Sequence, residues 1–190
     1  MTKLNVTSFD IAGPALIRPQ RHGDERGYFC ETWNEADWAE AGLPAHHWAQ
    51  DNEALSAEKG TLRGLHFQAP PFAQAKLVRV ISGAIYDVAV DIRRGSPTYG
   101  KSVAVTLTAE TGEQLLVPRG FAHGYQTLTP DTLVAYKCDN TYKAETEGGL
   151  LWSDVDLNLT WPLPEEVIMS GRDFAWPSFA NFKSPFKGEA

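Results

Sequence analysis

The sequence contains no run of ~20 apolar residues, the length a helix needs to cross a bilayer, so no membrane-spanning helix is expected. The amino-terminal stretch Met1-Thr2-Lys3-Leu4-Asn5 carries no apolar signal segment, and the expected location is the cytoplasm. Cysteine is scarce. Cys30 and Cys138 stand alone, outside any C-x-x-C pair, which argues against a zinc knuckle or a dithiol redox motif. Two reduced, mostly buried thiols are expected instead. Positive charge is in deficit, with 17 Lys and Arg against 24 Asp and Glu and a formal net charge of -7. No nucleic-acid partner is expected, because that class needs a basic face. A small anionic ligand remains open, since a few converging arginines hold a diphosphate even in an acidic protein. No internal repeat, low-complexity tract or linker interrupts the chain, and 190 residues suit a single domain spanning 1–190 with its own core.

Helix signals are few as well. Asn34 is placed to cap a short helix through Trp38 to Ala41, with Gly42 at its end and Pro44 beyond. Pro164–Ile168 reads as a second short helical turn, and the tail after Asp173, with Trp176-Pro177 and Ser184-Pro185, reads as irregular. What fills the chain is strand. From about Gly60 to Tyr142, runs such as 77–81, 84–92, 102–108, 114–117 and 132–138 are rich in β-branched residues and broken by Gly and Pro. Val103, Val105 and Leu107 share one face of their run. Short strands at this spacing predict an all-β sandwich or barrel with a few short helices.

The five histidines are His22, His46, His47, His66 and His123. A metal-binding β-barrel of this size wants an H-x-H pair, a carboxylate and a later histidine converging on one ion. Gly64-Leu65-His66-Phe67-Gln68 supplies one histidine, with Phe67 and Gln68 where a second ligand belongs. His46 and His47 are adjacent and would point to opposite faces of a strand. No metal and no cofactor are expected. His66 suits acid-base work, because an unperturbed imidazole titrates at ~6.5, close to working pH. Taken alone, it reads more readily as a core histidine satisfied by a backbone carbonyl.

Its surroundings change that balance. Arg63-Gly64-Leu65-His66-Phe67-Gln68 followed by Lys76-Leu77-Val78-Arg79 closely resembles the dTDP-4-dehydrorhamnose 3,5-epimerase family. So do Asp24-Glu25-Arg26-Gly27-Tyr28-Phe29-Cys30-Glu31, Gln50-Asp51-Asn52, Tyr86–Asp91, Ser96–Gly100, Pro118–Gly124, Tyr136-Lys137 and Leu151–Asp154. The resemblance runs from about Asp24 to Asp173 in the family's order. It implies a cupin-like jelly roll that works as a homodimer without metal. The implied substrate is a dTDP-4-keto-6-deoxy sugar, inverted at C3 and C5 on the way to dTDP-L-rhamnose.

That chemistry asks for a base on one face of the ring, a donor on the other, and a group to stabilise the enolate oxygen at C4. By resemblance His66 is the base and Asp173 the carboxylate that fixes its tautomer. Tyr136 matches the donor, since a phenol of pKa ~10 arrives holding its proton. Lys76 matches the cation beside the C4 oxygen. Arg63 and Arg172 match phosphate-contacting positions, with Arg172 standing where the family usually has lysine. Arg26 and Glu31 match residues that reach the nucleotide across the dimer interface. Gln50, Asn52, His123 and Glu147 match further substrate contacts, and Tyr142 matches an aromatic lining the pocket. Thr141 departs from the family, many of whose members carry a second tyrosine there. Each residue also has an ordinary reading as core, loop or surface.

The rival readings are a related enzyme of the same fold that epimerises one carbon or moves the ketone between C3 and C4, a cupin that only binds a sugar nucleotide, and a metal-dependent cupin. The retained Tyr136 favours epimerisation over ketone transfer, and the presence of both His66 and Tyr136 argues against a mere binder.

Overall fold

The computed structural model describes residues 3–188. Met1 and Thr2 of the amino-terminal stretch, and the last two residues of the irregular tail, lie outside the described residues.

Alternation builds the architecture. In β-strands successive side chains point to opposite faces, so a strand apolar at every second position buries one face, and one apolar throughout buries both. The chain forms β1 (Leu4–Ser8), β2 (Ala15–Pro19), β3 (Arg21–Asp24), β4 (Gly27–Cys30), α1 (Glu35–Glu40), β5 (Gln50–Ser56), β6 (Leu62–Gln68), β7 (Lys76–Ser82), β8 (Ala84–Asp91), β9 (Ser102–Thr108), β10 (Gln114–Val117), β11 (Phe121–Thr127), β12 (Thr132–Cys138) and β13 (Glu147–Gly149). Six strands make one sheet in the order β1-β2-β10-β7-β12-β5. Five make a second in the order β13-β6-β11-β8-β9, and β3-β4 form a separate hairpin. All pairings between these strands are antiparallel. This is the all-β jelly-roll sandwich the sequence led us to expect.

Between the sheets lies a core of Val78, Val80, Leu115, Val117 and Val134 from the first and Ile85, Ala89, Val103, Leu107 and Tyr125 from the second. Val105 packs against it too, so the three alternating residues of β9 share a face as expected. Strand β8 is buried on both sides: Ile85 and Ala89 face the inter-sheet core, while Val88 and Val90 join Leu62, Leu65, Phe67 and Ala122 on the outer face. The segment after β13 covers that outer face with Leu150, Leu157, Trp161 and Phe186. The tail is therefore irregular, as expected, yet packed, with Phe186 buried and short 3-10 turns at Asp173–Ala175 and Phe179–Asn181.

On the other side, α1 seals the outer face of the six-stranded sheet. A helix this short is unstable alone, because isolated helices under ~12 residues are marginal in water. Two things hold it. Asn34 accepts from the Ala36 and Asp37 amides at 3.0 and 3.2 Å, and Trp38 is buried against Ile17, Leu77 and Leu116. His46 sits in the loop before β5, not on a strand. Its ring is 4.9 Å from Trp48, and its Nδ1 is 3.2 Å from Asp139, a structural placement. The second helical turn is a 3-10 turn at Pro164–Glu166. Cys138 is buried and Cys30 only half-buried, and both are free. Strands β1 to β5 precede the region read as strand from sequence. Their patterns are short, polar on one face, or interrupted by Pro and Gly.

Candidate active site

The functional side chains come from strands of both sheets and from one segment beyond β13. On β6, Arg63 and His66 are three apart, which on a regular strand puts them on opposite faces. The ladder with β11 contains a bulge that reverses this. His123 pairs with His66, but Tyr125, two residues on, pairs with Arg63, three residues back. The extra residue lets Arg63 and His66 face the same cavity. Gly64 makes the bulge possible: its φ is +140°, and a Cβ there would lie 2.5 Å from the Gly124 Cα and 3.0 Å from the His123 carbonyl oxygen.

A cavity of about 620 Å³ opens above this bulge, lined among others by Arg63, His66, Lys76, His123, Tyr136 and Asp173. A smaller recess of about 280 Å³ shares His66, Lys76 and Tyr136 with it and continues to Gln50, Asn52, Tyr142 and Glu147. The geometry thus brings together eleven of the thirteen expected site residues, with Arg172 on the larger cavity's wall. Arg26 and Glu31 are not among them. Arg26 sits at the tip of the β3–β4 hairpin, its Nε 3.1 Å from Asp24 Oδ2, and Glu31 pairs with Lys3 at 3.1 Å.

His66 Nε2 and Asp173 Oδ1 are 2.7 Å apart, joining residues distant in sequence through the Asp173–Ala175 turn. With Nε2 engaged, Nδ1 is the ring nitrogen left for other work. Burial pushes the His66 pKa below its ordinary value, against the opposing pull of Asp173. The Lys76 amine is set among Asn52, Tyr136 and Cys138 and is not a solvated strand-start lysine. Its Nζ lies 5.9 Å from the Tyr136 ring centre, and burial lowers its pKa. Burial raises the pKa of Tyr136, so the phenol keeps its proton at neutral pH. It raises the Cys138 thiol to about 11, so that sulfur is inert as a nucleophile.

The recess is framed by hydrogen bonds. Gln50 Nε2 donates to Asn52 Oδ1 at 2.8 Å and Gln50 Oε1 accepts from the Tyr142 amide at 2.9 Å. The Tyr142 hydroxyl donates to Glu147 Oε2 at 2.7 Å, and Glu147 also pairs with Arg172. Arg63 is anchored by its Nε to Ser56 Oγ at 3.3 Å and by Nη2 to the Leu55 carbonyl at 3.1 Å.

Two residues to which the sequence reading gave no role stand at the site, one behind the wall and one in it. Asp87 on β8, fully buried, meets His123 Nε2 at 2.6 Å, making a second imidazole–carboxylate pair one strand from the first. Tyr125 lines the large cavity with its hydroxyl buried and without a protein partner. Among the described residues, no three His, Cys, Asp or Glu side chains converge as a metal site, and no helix is long and apolar enough to cross a membrane. Chemically, the arrangement can remove a proton with an oriented imidazole, return one from a neutral phenol, and stabilise negative charge with a buried ammonium.

A family profile described as dTDP-4-dehydrorhamnose 3,5-epimerase matches residues 8–181. A relative from Sinorhizobium fredii, named dTDP-4-dehydrorhamnose 3,5-epimerase, is 48% identical over 95% of this chain and 92% of its own length. The Legionella pneumophila dTDP-6-deoxy-D-glucose-3,5-epimerase, solved in complex with dTDP-4-keto-L-rhamnose, superposes with a TM-score of 0.93 at 38% identity, covering 98% of this chain and 100% of that one. ChmJ, a 3'-monoepimerase from Streptomyces bikiniensis solved with dTDP-quinovose, gives 0.84 at 33% identity over 90% and 86%.

Proposed function

Because the chain belongs to the dTDP-4-dehydrorhamnose 3,5-epimerase family, we propose that the cavity around His66 carries out the family's reaction with His66 as base, Tyr136 as proton donor and Lys76 beside the C4 oxygen. The activity is inversion at C3 and C5 of dTDP-4-keto-6-deoxy-D-glucose, in the synthesis of dTDP-L-rhamnose.

The C4 ketone acidifies the hydrogens on both neighbouring carbons. His66 takes one of them as a proton, and the electron pair of the broken C–H bond moves into an enolate whose charge rests on O4. Lys76 stabilises that oxygen, and the ammonium acts more strongly in a buried site than it would in water. Asp173 stabilises the imidazolium and fixes which nitrogen serves as base. Tyr136 then gives its hydroxyl proton to the opposite face of the same carbon, and the stereocentre is inverted. Solvent restores the proton to the phenolate and removes it from the imidazolium. The sequence repeats at the second carbon. No electrons leave the substrate, so no redox cofactor takes part.

Arg63 and Arg172 are assigned to the diphosphate, with Gln50, Asn52, His123, Tyr142 and Glu147 as further substrate contacts. Arg26 and Glu31 serve the cavity of a second copy of this chain. The homodimer is supported by exposed apolar groups that a partner would cover, with Tyr28 and Phe29 beside Arg26 60% and 66% exposed and Leu55 on edge strand β5 60% exposed.

The observation that carries this reading is the paired His66–Asp173 opening onto the cavity that Tyr136 and Lys76 also line. His66→Asn tests it: turnover is abolished while dTDP binding stays within about tenfold. Activity surviving in H66N contradicts the base assignment.

A further inference from the structure

The structure assigns a role to Trp176, in the irregular tail: its indole is a positioning clamp that holds the His66 ring and the Asp173-bearing turn in register. The inference rests on His66 being the base, and it goes beyond that reading to a residue outside the cavity.

Three independent contacts converge on this side chain. The indole meets the His66 imidazole edge to face, with ring centres 6.1 Å apart and planes at 71°. It packs against Gly149, the residue of β13 that pairs with His66 on β6, so closely that a Cβ at Gly149 would lie 2.4 and 2.5 Å from two ring carbons. Arg172, the residue before Asp173, sets its guanidinium 5.8 Å from the ring centre, within cation–π range. The backbone closes the same loop: the Ala175 amide donates to the Arg172 carbonyl and the Leu151 amide to the Pro177 carbonyl, both at 3.0 Å. Trp176 thus bridges the strand that carries the base and the turn that carries its carboxylate. Its Nε1 is buried without a partner, so the indole acts through shape and not through a hydrogen bond.

A clamp of this kind matters because a shift of ~1 Å in a catalytic group can reduce turnover a hundredfold. The groups facing His66 are Asp173 from the turn, Lys76 from β7 and Glu147 from β13. His123 pairs with it from β11. Removing the indole deletes none of these charges. It admits water beside the imidazole and loosens the Asp173 contact.

The test compares W176A, W176F and H66N as full-length protein with dTDP-4-keto-6-deoxyglucose, across pH. In W176A kcat falls about 10- to 100-fold, KM and the Kd for dTDP change less than about threefold, and the acid limb of kcat/KM moves toward higher pH as burial of the imidazole is relieved. W176F, which keeps an aromatic edge and loses only an unpaired N–H, recovers most of kcat and returns the limb. If W176A does not fold, W176L, which keeps apolar volume without the aromatic edge, carries the same comparison. A normal kcat with an unmoved acid limb, while H66N is inactive, overturns the clamp alone. An active H66N overturns the base reading on which the clamp rests.

Discussion

His66 and Asp173, 107 residues apart in sequence, meet at 2.7 Å through Nε2 and Oδ1. The contact depends on the segment after β13 folding back over the second sheet, where the Asp173–Ala175 turn places a buried carboxylate beside β6. The pairing leaves one imidazole nitrogen free and fixes the tautomer, which is what a base of defined direction requires.

The pH dependence follows from the His66 environment. Burial lowers its pKa, so the ring stays neutral, and basic, to lower pH than a free histidine. Activity is lost as pH falls through that lowered value, so the acid limb of kcat/KM lies below ~6.5. In Asp173→Asn the carboxylate's opposing pull is gone, the imidazolium loses its partner, and kcat falls by roughly 10²- to 10⁴-fold. A pH–rate profile of both proteins checks this.

The alkaline limb is predicted to follow Lys76. Burial moves the two groups in opposite directions, making the ammonium of Lys76 easier to lose and the hydroxyl proton of Tyr136 harder to lose. As pH rises, activity declines with a midpoint below ~10.4, the ordinary lysine value. Lys76→Arg, whose guanidinium does not deprotonate in this range, pushes the limb upward even though its shape lowers kcat. Lys76→Met lowers kcat by about 10²- to 10³-fold.

The bulge in β6 gives a prediction for stability as well as activity. Gly64→Ala places a Cβ against Gly124 and the His123 carbonyl at a φ of +140°. The substitution destabilises the protein by about 2 kcal/mol or more. It also separates Arg63 from His66, so turnover falls further than the melting temperature alone would explain. Thermal unfolding and initial rates on the same sample read both.

If Arg26 serves a partner's cavity, defects in different subunits complement. Arg26→Ala weakens binding of the nucleotide sugar, and His66→Asn abolishes turnover. Co-expressed, the two chains assemble mixed dimers in which one cavity keeps His66 and receives an intact Arg26. The mixture exceeds the mean activity of the two separate proteins when titrated at low substrate.

Much of this was legible beforehand, for reasons that can be traced. The β9 alternation at Val103, Val105 and Leu107 fixed a buried face, and Asn34 before an amphipathic turn fixed a helix start. The family resemblance singled out His66, Lys76 and Tyr136, and the fold brings all three to one cavity. The bulge was not legible, because nothing in the spacing of Arg63 and His66 reports that one extra residue lies between their ladder partners. Asp87 gave a faint signal, a carboxylate inside an otherwise apolar run that needs a buried partner, and His123 is that partner. Tyr125 was within reach too: two residues after His123 on a strand, it shares that face. Trp176 carried none, since an irregular tail has no period from which to read a contact.

The measurement that bears most directly on the account is proton NMR of the product formed from dTDP-4-keto-6-deoxyglucose in deuterium oxide, with wild-type protein and with Tyr136→Phe. One imidazole and one phenol acting across the ring predict deuterium and inversion at both C3 and C5 in the wild type. In Y136F they predict inverted product formed at a rate at least about 10²-fold lower. Label at C3 alone in the wild type, or undiminished double inversion in Y136F, would contradict it.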